Sequence, residues 1–317
     1  MNGILPVVKP GGMTSHDVVA RIRRTLSMRR VGHTGTLDPD ATGVLVILLG
    51  KATRLMQFMV TLPKTYLAGI VLGITTDTFD ASGQVTARTE DTKVSKERFL
   101  EALSDFRGEI WQIPPMVSAV HHKGRRLYEL AREGIEAPRR PRLVHIHTLE
   151  VKAWPEKEFL RIGDEVSVLV ECSSGTYIRQ LAADLGENLG CGAHIGSLSR
   201  TKVGSIDITS CYTLEEVEKA VECGSFQDML LPISEGLSHL PAIILAENDK
   251  DMERRASAGA CIQMPEAHDE IEGQQGRKSL AAGDFVSVVA SSGDVLCVAR
   301  LEMSQGKFLL HPVVVFA

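Results

Sequence analysis

The sequence lacks any pair of cysteines with the spacing of a metal-binding or disulfide motif. Its six cysteines are spread over the second half of the 317-residue chain, and none of them form a C-x-x-C pair: Cys172, Cys191, Cys211, Cys223, Cys261 and Cys297. This distribution argues against a zinc site or a disulfide framework. It predicts reduced, mostly buried thiols, and we expect no metal ion.

Long apolar runs are also missing. No stretch approaches the ~20 residues that a membrane-spanning helix requires. The first residues, MNGILPVVKPGG, contain no basic leader followed by an apolar core. We therefore expect a cytoplasmic protein with no membrane partner.

Gly50-Lys51 suggests a phosphate-binding loop, but the spacing of the glycines does not match that motif. Six residues separate Gly43 from Gly50, where the motif has four, and Ala52 occupies the position that requires Ser or Thr. The sequence therefore predicts no nucleotide cofactor.

Basic residues are slightly outnumbered by acidic ones, 35 against 40, and they are unevenly distributed. The chain carries a net charge of -5, yet residues 1–211 hold 27 basic against 23 acidic residues (+4) and residues 212–317 hold 8 against 17 (-9). Five arginines fall between residues 21 and 30, and a second basic run occupies residues 123–142. Either run alone is explained by a solvated helix face, but two runs favour an RNA-binding surface, because phosphate binding depends on local patches.

Strands and helices alternate without a regular βαβ repeat, which predicts an α+β fold with a mixed sheet. We expect one unit at residues 1–235, with a basic excursion at about 117–142 that is mobile and closes over RNA. A second unit at 240–317 contains an acidic loop at 268–275 and a hairpin-like pair, 284–290 and 294–300, followed by a strand at 308–315. This pattern predicts a small β-barrel.

The segment Arg29–Leu45, RRVGHTGTLDPDATGVL, is the most constrained stretch of the chain. Gly32, Gly35 and Gly43 permit unusual backbone angles, and Pro39 disfavours a helical conformation at Asp38. Such a loop beside a buried strand is suited to hold a reactive carboxylate. Taken alone, the Asp-Pro pair is equally explained by ordinary turn chemistry.

Resemblance to a known family favours the catalytic interpretation. Five blocks, in matching order and spacing, resemble the TruB-type bacterial tRNA pseudouridine synthases over roughly residues 3–235. They are Lys9-Pro10-Gly11-Gly12 with Thr14-Ser15, Gly32 to Leu45, Lys64-Thr65-Tyr66, Gly175-Thr176-Tyr177-Ile178-Arg179, and Gly190 to His194 leading to Leu198. The resemblance implies a pseudouridine synthase catalytic domain followed by a PUA domain that docks RNA. The acidity of the C-terminal unit departs from that expectation.

Roles for particular residues follow from the same resemblance. It implies that Asp38 is the catalytic carboxylate, that Arg179 is its ion-pair partner, and that Tyr66 stacks on the base and accepts a proton. His33 would enter the RNA where the base was. The remaining implied contacts are the pocket walls Tyr177 and Leu198 and the supporting Lys9. Without the resemblance, each of these would be an ordinary loop, strand or core residue.

The implied reaction converts a T-loop uridine of tRNA (position 55) into pseudouridine. It breaks the N1–C1′ bond, rotates the base and joins C5 to C1′, so no electrons are gained or lost and no cofactor is needed. An ionised carboxylate is required, and an arginine nearby would lower the pKa of Asp38. Attack at C6, attack at C1′ and an elimination route all remain open.

Two other functions remain as alternatives. One is an RNA-binding protein without catalysis. The other is a glycosidase that uses a pair of carboxylates, for which Asp40 beside Asp38 is the candidate. We expect a monomer whose partner is the T-stem-loop of tRNA.

Overall fold

The computed structural model describes residues 1–118, 121–122, 124–264, 270–273 and 276–316. Its helices are α1 (Ser15–Thr25), α2 (Met56–Met59), α3 (Lys96–Ser104), α4 (Leu127–Arg132), α5 (Ile178–Asn188), α6 (Leu214–Cys223) and α7 (Lys250–Ser257). Its strands begin with β1 (Gly3–Lys9), β2 (Val31–His33), β3 (Thr42–Leu49), β4 (Lys64–Leu72), β5 (Ile74–Thr76), β6 (Val85–Arg88), β7 (Val94–Ser95) and β8 (Gly108–Gln112).

The central strands are β9 (His121–His122), β10 (Arg125–Arg126), β11 (Arg142–Ala153), β12 (Phe159–Leu160), β13 (Glu165–Cys172), β14 (Ala193–Val203) and β15 (Ile206–Asp207). The last strands are β16 (Ala242–Ile244), β17 (Ile262–Gln263), β18 (Glu270–Gly273), β19 (Gly276–Ser279), β20 (Phe285–Val289), β21 (Val295–Ser304) and β22 (Lys307–Val315).

The main sheet has the order β1-β3-β14-β4-β13-β11-β8, with β2 paired to β3 and β15 to β14. The β3–β14 pair is parallel, with Thr42 opposite Ser199 and Gly43 opposite Arg200, whereas the other pairs are antiparallel. The predicted α+β fold with a mixed sheet is confirmed. The parallel pair brings the end of the Asp38 loop against β14.

Helices cover the sheet with the apolar faces that their spacing predicts. Val18, Val19 and Ile22 of α1 are buried with residues of β1, β3 and α6 in one cluster. Ile178 and Leu181 of α5 are buried with residues of α3, β4 and β13 in another. Burying such a side chain contributes about 1.5–3 kcal/mol, so these contacts fix where the first turn of each helix lies.

A separate five-stranded sheet forms the C-terminal unit, in the order β16-β20-β21-β22-β17. It curls into a half-barrel that is consistent with a PUA-like domain, as predicted. Val298, Val314 and Phe316 of this unit pack in one apolar cluster with Ile4 and Leu55 of the body. The boundary between 235 and 240 stays a prediction.

Two predicted loops lie only partly within the described residues. Residues 270–273 of the expected acidic loop form β18, which pairs with β19, and the other residues of that loop lie outside the description. The basic excursion contains α4, while Lys123 lies outside the described residues. In the part of the chain that is described, no helix is long and apolar enough to cross a membrane.

Candidate active site

The loop that carries Asp38 is fixed on both sides by buried polar contacts. The N–H of Leu37 donates to Ser15 Oγ at 2.8 Å, which ties the loop to the first turn of α1. On the other side, Pro39 O accepts from the N–H of Gly12 at 3.0 Å and from Lys9 Nζ at 2.7 Å. The carboxylate between these two anchors therefore has little freedom to move.

A second set of contacts, not predicted from the sequence, comes from Arg200 on β14. Its guanidinium is 2% exposed and donates to the carbonyl oxygens of Val44, Gly35 and Thr36 at 2.8, 3.0 and 3.5 Å. Gly43 is essential to this arrangement, because its φ is +101° and an added Cβ would lie 2.2 Å from Arg200 O. Arg200 thus fixes the backbone of the loop from beneath.

Arg179 forms a two-point ion pair with Asp38. Its Nε lies 2.9 Å from Asp38 Oδ2, and its Nη2 donates to Asp38 Oδ1 at 3.1 Å. The side chain of Arg179 is 5% exposed and that of Asp38 is 41% exposed. The parallel contacts orient the carboxylate, and its partial exposure leaves it open to a substrate.

The remaining donors of Arg179 are also satisfied. Nη1 lies 3.3 Å from Asp80 Oδ2 and donates to Thr78 O at 3.1 Å, while Nη2 also donates to Val117 O at 2.9 Å. The sequence did not predict the contact of Asp80 with Arg179, since the loop of Asp80 showed only turn-forming residues. The loop is anchored through Asp80 Oδ1, which accepts from Thr78 Oγ1 at 2.7 Å.

The pKa of Asp38 differs in direction from the sequence prediction. Burial raises the pKa of this carboxyl above its ordinary value, Arg179 opposes that effect, and Asp80 adds to it. The expected lowering by an arginine is therefore wrong as a net result, because desolvation of the carboxylate outweighs the ion pair. Arg179 limits the increase rather than reversing it.

A cavity of about 380 Å³ opens beside the ion pair. Its lining brings together five of the predicted residues from four separate sequence blocks: Asp38, Tyr66, Tyr177, Arg179 and Leu198. Burial raises the pKa of the Tyr66 phenol, and Arg200 partly opposes this. A pocket of this size with aromatic and aliphatic walls suits a planar ring.

Lys9 and His33 lie near this cavity but outside its lining. Lys9 is fully buried and donates to Pro10 O, Met13 O and Pro39 O, and burial lowers its pKa to about 8. His33 Nδ1 accepts from the N–H of Gly35 at 3.3 Å, and burial followed by the charge of Arg200 lowers its pKa. The structure gives Lys9 a supporting position under the loop.

Gln112, another residue missed from the sequence, positions Tyr177. Its side-chain amide donates to Tyr177 O at 2.9 Å and accepts from the N–H of Tyr177 at 2.7 Å. Gln112 is 2% exposed at the end of β8, and Tyr177 directly precedes α5. This pair fixes the start of α5 and hence the position of Arg179.

The first basic run is less available to RNA than the sequence suggests. Arg21 forms ion pairs with Glu215 and Glu218 of α6 at 3.0 and 2.7 Å. Arg23 Nη2 donates to Val31 O at 2.8 Å. The exposed cations of this run are Arg24, Arg29 and Arg30.

Among the described residues, no group of His, Cys, Asp and Glu side chains is placed to hold a metal ion. The chemistry that the arrangement offers is that of one oriented carboxylate beside a ring-sized cavity.

Comparison with solved structures defines the class of fold. A chain in a structure titled as an H/ACA RNP bound to a substrate RNA containing 2′-deoxyuridine aligns with a TM-score of 0.73 and 24% identity. The alignment covers 99% of this chain and 85% of that one. At this identity the likeness shows a common fold.

Sequence comparison identifies the family. Residues 23–178 match the N-terminal domain model of the TruB family of pseudouridylate synthases, and residues 179–238 match the C-terminal domain model of tRNA pseudouridylate synthase B. The chain is 43% identical to the tRNA pseudouridine synthase B of Moorella thermoacetica over 98% of its length and 97% of the relative's. It is 46% identical to that of Dehalococcoides mccartyi over 78% and 81%. The chain belongs to the TruB family of pseudouridylate synthases.

Proposed function

We propose that this protein is a tRNA pseudouridine synthase that isomerises the T-loop uridine at position 55, with Asp38 as the reacting carboxylate. The observation that supports this most directly is the two-point Arg179–Asp38 ion pair on the wall of a cavity that Tyr66 also lines. The relatives named tRNA pseudouridine synthase B support tRNA as the substrate.

The target base must leave the RNA stack before it reaches Asp38. Flipping a base costs a few kcal/mol, and stacking on an aromatic side chain contributes ~1–3 kcal/mol per base. Tyr66 therefore offsets much of this cost. Tyr177 and Leu198 form further parts of the wall around the same ring, and His33 enters the position that the base vacates.

Asp38 then promotes cleavage of the N1–C1′ bond, with the bonding electrons leaving on the base. The base rotates, C5 bonds to C1′, and water carries the proton from C5 to the freed N1, so the product is an isomer of the substrate. Arg179 keeps the carboxylate ionised and oriented during these steps. Tyr66 acts mainly by stacking, because burial raises the pKa of its phenol and keeps it protonated in the free enzyme.

The remaining parts of the proposal concern RNA binding. A catalytic domain at residues 1–235 holds the T-stem-loop. Arg24, Arg29 and Arg30 face the RNA, as does the excursion at residues 117–142. The PUA-like unit at 240–317 adds a weaker contact, because residues 212–317 carry a net charge of -9. The protein acts as a monomer in the cytoplasm, where its substrate is found.

The test is the Asp38→Asn variant with tRNA transcribed from mass-labelled uridine. This variant is expected to bind tRNA as the wild type does and to form no pseudouridine. Asp40→Asn, a change at the exposed neighbouring carboxylate, is the matched control and should remain active within about threefold. A second transcript with cytidine at position 55 should give no product with the wild type.

Each alternative function has its own outcome. Binding of tRNA without any pseudouridine from the wild type would favour an RNA-binding protein. Release of free uracil, with loss of activity in both the Asp38 and the Asp40 variants, would favour a glycosidase. Pseudouridine formation by Asp38→Asn would refute the role of Asp38.

A further inference from the structure

Most polar side chains around the cavity already have partners. Lys64 Nζ donates to Val60 O and Leu62 O, both at 2.6 Å. The guanidinium groups of Arg179 and Arg200 are engaged as described above. Ser118 differs from these: it lines the cavity and is 5% exposed, yet its Oγ has no hydrogen-bond partner among the residues that the structure describes.

The position of Ser118 is fixed by backbone contacts beside the Arg179–Asp38 ion pair. The preceding residue, Val117, accepts from Arg179 Nη2 through its carbonyl oxygen at 2.9 Å. The N–H of Ser118 donates to Met116 O at 3.0 Å. The Ser118 hydroxyl, unpaired among the described residues, therefore belongs to the residue directly after the carbonyl that contacts Arg179, and backbone contacts hold that residue in place.

An unpaired buried hydroxyl is destabilising, because it has lost water without gaining a protein partner. A uracil ring that enters the same cavity lacks hydrogen-bond donors for its two carbonyl oxygens, since these oxygens lose water there. A hydrogen bond from the hydroxyl to one of these oxygens gives both groups a partner. Within the described part of the chain, Ser118 Oγ is thus an unpaired donor just behind the cavity wall, and rotation about the Cα–Cβ bond of Ser118 brings it to a base bound there.

We propose that the Ser118 hydroxyl donates a hydrogen bond to a carbonyl oxygen of the target base, an inference that depends on the proposed function. When the N1–C1′ bond breaks, its electron pair leaves with the base and is shared with the carbonyl oxygens. A donor at such an oxygen stabilises the detached base until C5 bonds to C1′ and the C5 proton leaves. Hydrogen bonds to charged acceptors are stronger than those to neutral ones, so the contact favours the reaction more than initial binding.

The experiment compares single-turnover rates of the wild type, Ser118→Ala and Ser118→Cys on unmodified tRNA. Both variants should be slowed about five- to twentyfold with unchanged tRNA affinity, and Ser118→Ala should melt no lower than the wild type. Ser95→Ala, which removes the cap of α3, is the control: it should lower the melting temperature and leave the rate unchanged.

A second arm places 2-thiouridine or 4-thiouridine at the target position, because sulfur is a poor acceptor. On one of these two substrates the difference between wild type and Ser118→Ala should fall to less than twofold. A rate for Ser118→Ala within twofold of wild type on normal tRNA would overturn the inference, as would a full penalty on both thio substrates. A wild type that forms no pseudouridine would instead refute the proposed function.

Discussion

Replacing Arg179 separates the two effects of its side chain, orientation of Asp38 and positive charge. Arg179→Lys keeps the charge, but a single ammonium cannot reproduce the fork that contacts Asp38 and Asp80 together with Thr78 O and Val117 O. Arg179→Met removes both the fork and the charge. We therefore expect both variants to lose kcat/KM but to differ in how kcat/KM depends on pH.

The expected loss of stability is about 3 kcal/mol for Arg179→Met. Breaking a buried ion pair costs roughly 3–5 kcal/mol, and the lower value applies here because the Asp38 side chain is 41% exposed and partly solvated. The expected loss of kcat/KM is at least ~100-fold for both variants, since a misplacement of about 1 Å at a reacting group has that effect. Urea unfolding and initial rates on tRNA measure the two quantities.

The pH dependence distinguishes the variants. Burial raises the pKa of Asp38 and Arg179 opposes this, so removing the guanidinium raises that pKa further. Because the proposed mechanism needs ionised Asp38, the acidic limb of kcat/KM should move to higher pH in Arg179→Met. It should move less in Arg179→Lys, which retains a positive charge. An unmoved limb in Arg179→Met, or rates within threefold of wild type in both variants, would refute this account of the ion pair.

Two further predictions concern the support of the Asp38 loop. Gly43→Ala should lower the free energy of unfolding, measured in urea, by more than about 3 kcal/mol, since the added Cβ would overlap the Arg200 backbone. Gly12 also has a positive φ but open space around it, so Gly12→Ala should cost only about 1–2 kcal/mol. Equal costs for the two variants would contradict this explanation. Burial lowers the pKa of Lys9 to about 8 from 10.5, so the unfolded chain binds more protons between these values and stability rises with pH there. At about pH 9 the wild-type slope should exceed that of Lys9→Met by about 1 kcal/mol per pH unit, and identical slopes would show that Lys9 is not desolvated.

Local sequence was sufficient to predict the residues whose conformation is set by their neighbours in the chain. Thr14 and Asp17 have the three-residue spacing of a capping box and form one at the start of α1, and Gly43 has the positive φ that a glycine-rich loop suggests. The resemblance supplied Asp38 and Arg179, which are 141 positions apart yet in contact. Neither spacing nor composition relates residues at that separation.

Residues that act through long-range contacts were not predictable in the same way. Asp80, Gln112 and Ser118 are common residue types in unremarkable local sequence, and each gains its role only when the sheet brings it to the α5 terminus or to Arg179. Arg200 follows Leu198 by two residues on β14, but only the parallel pairing with β3 shows that it supports the loop. The direction of the Asp38 pKa required the extent of burial, which a sequence does not give.

The local charge around the cavity explains how a protein with a net charge of -5 acts on an anionic substrate. Electrostatic interactions weaken with distance and with solvent screening, so buried charges beside the substrate outweigh distant surface carboxylates. Three buried cations line the cavity, Lys64, Arg179 and Arg200, and the buried Lys9 lies under the Asp38 loop. The carboxylates of Asp38 and Asp80 both contact Arg179. Burial lowers the pKa values of both lysines to about 8, which still leaves them mainly protonated at neutral pH. On the proposed mechanism, this positive charge favours the electron-rich base that forms when the N1–C1′ bond breaks. Part of it comes from Lys9 and Arg200, which also hold the Asp38 loop in place.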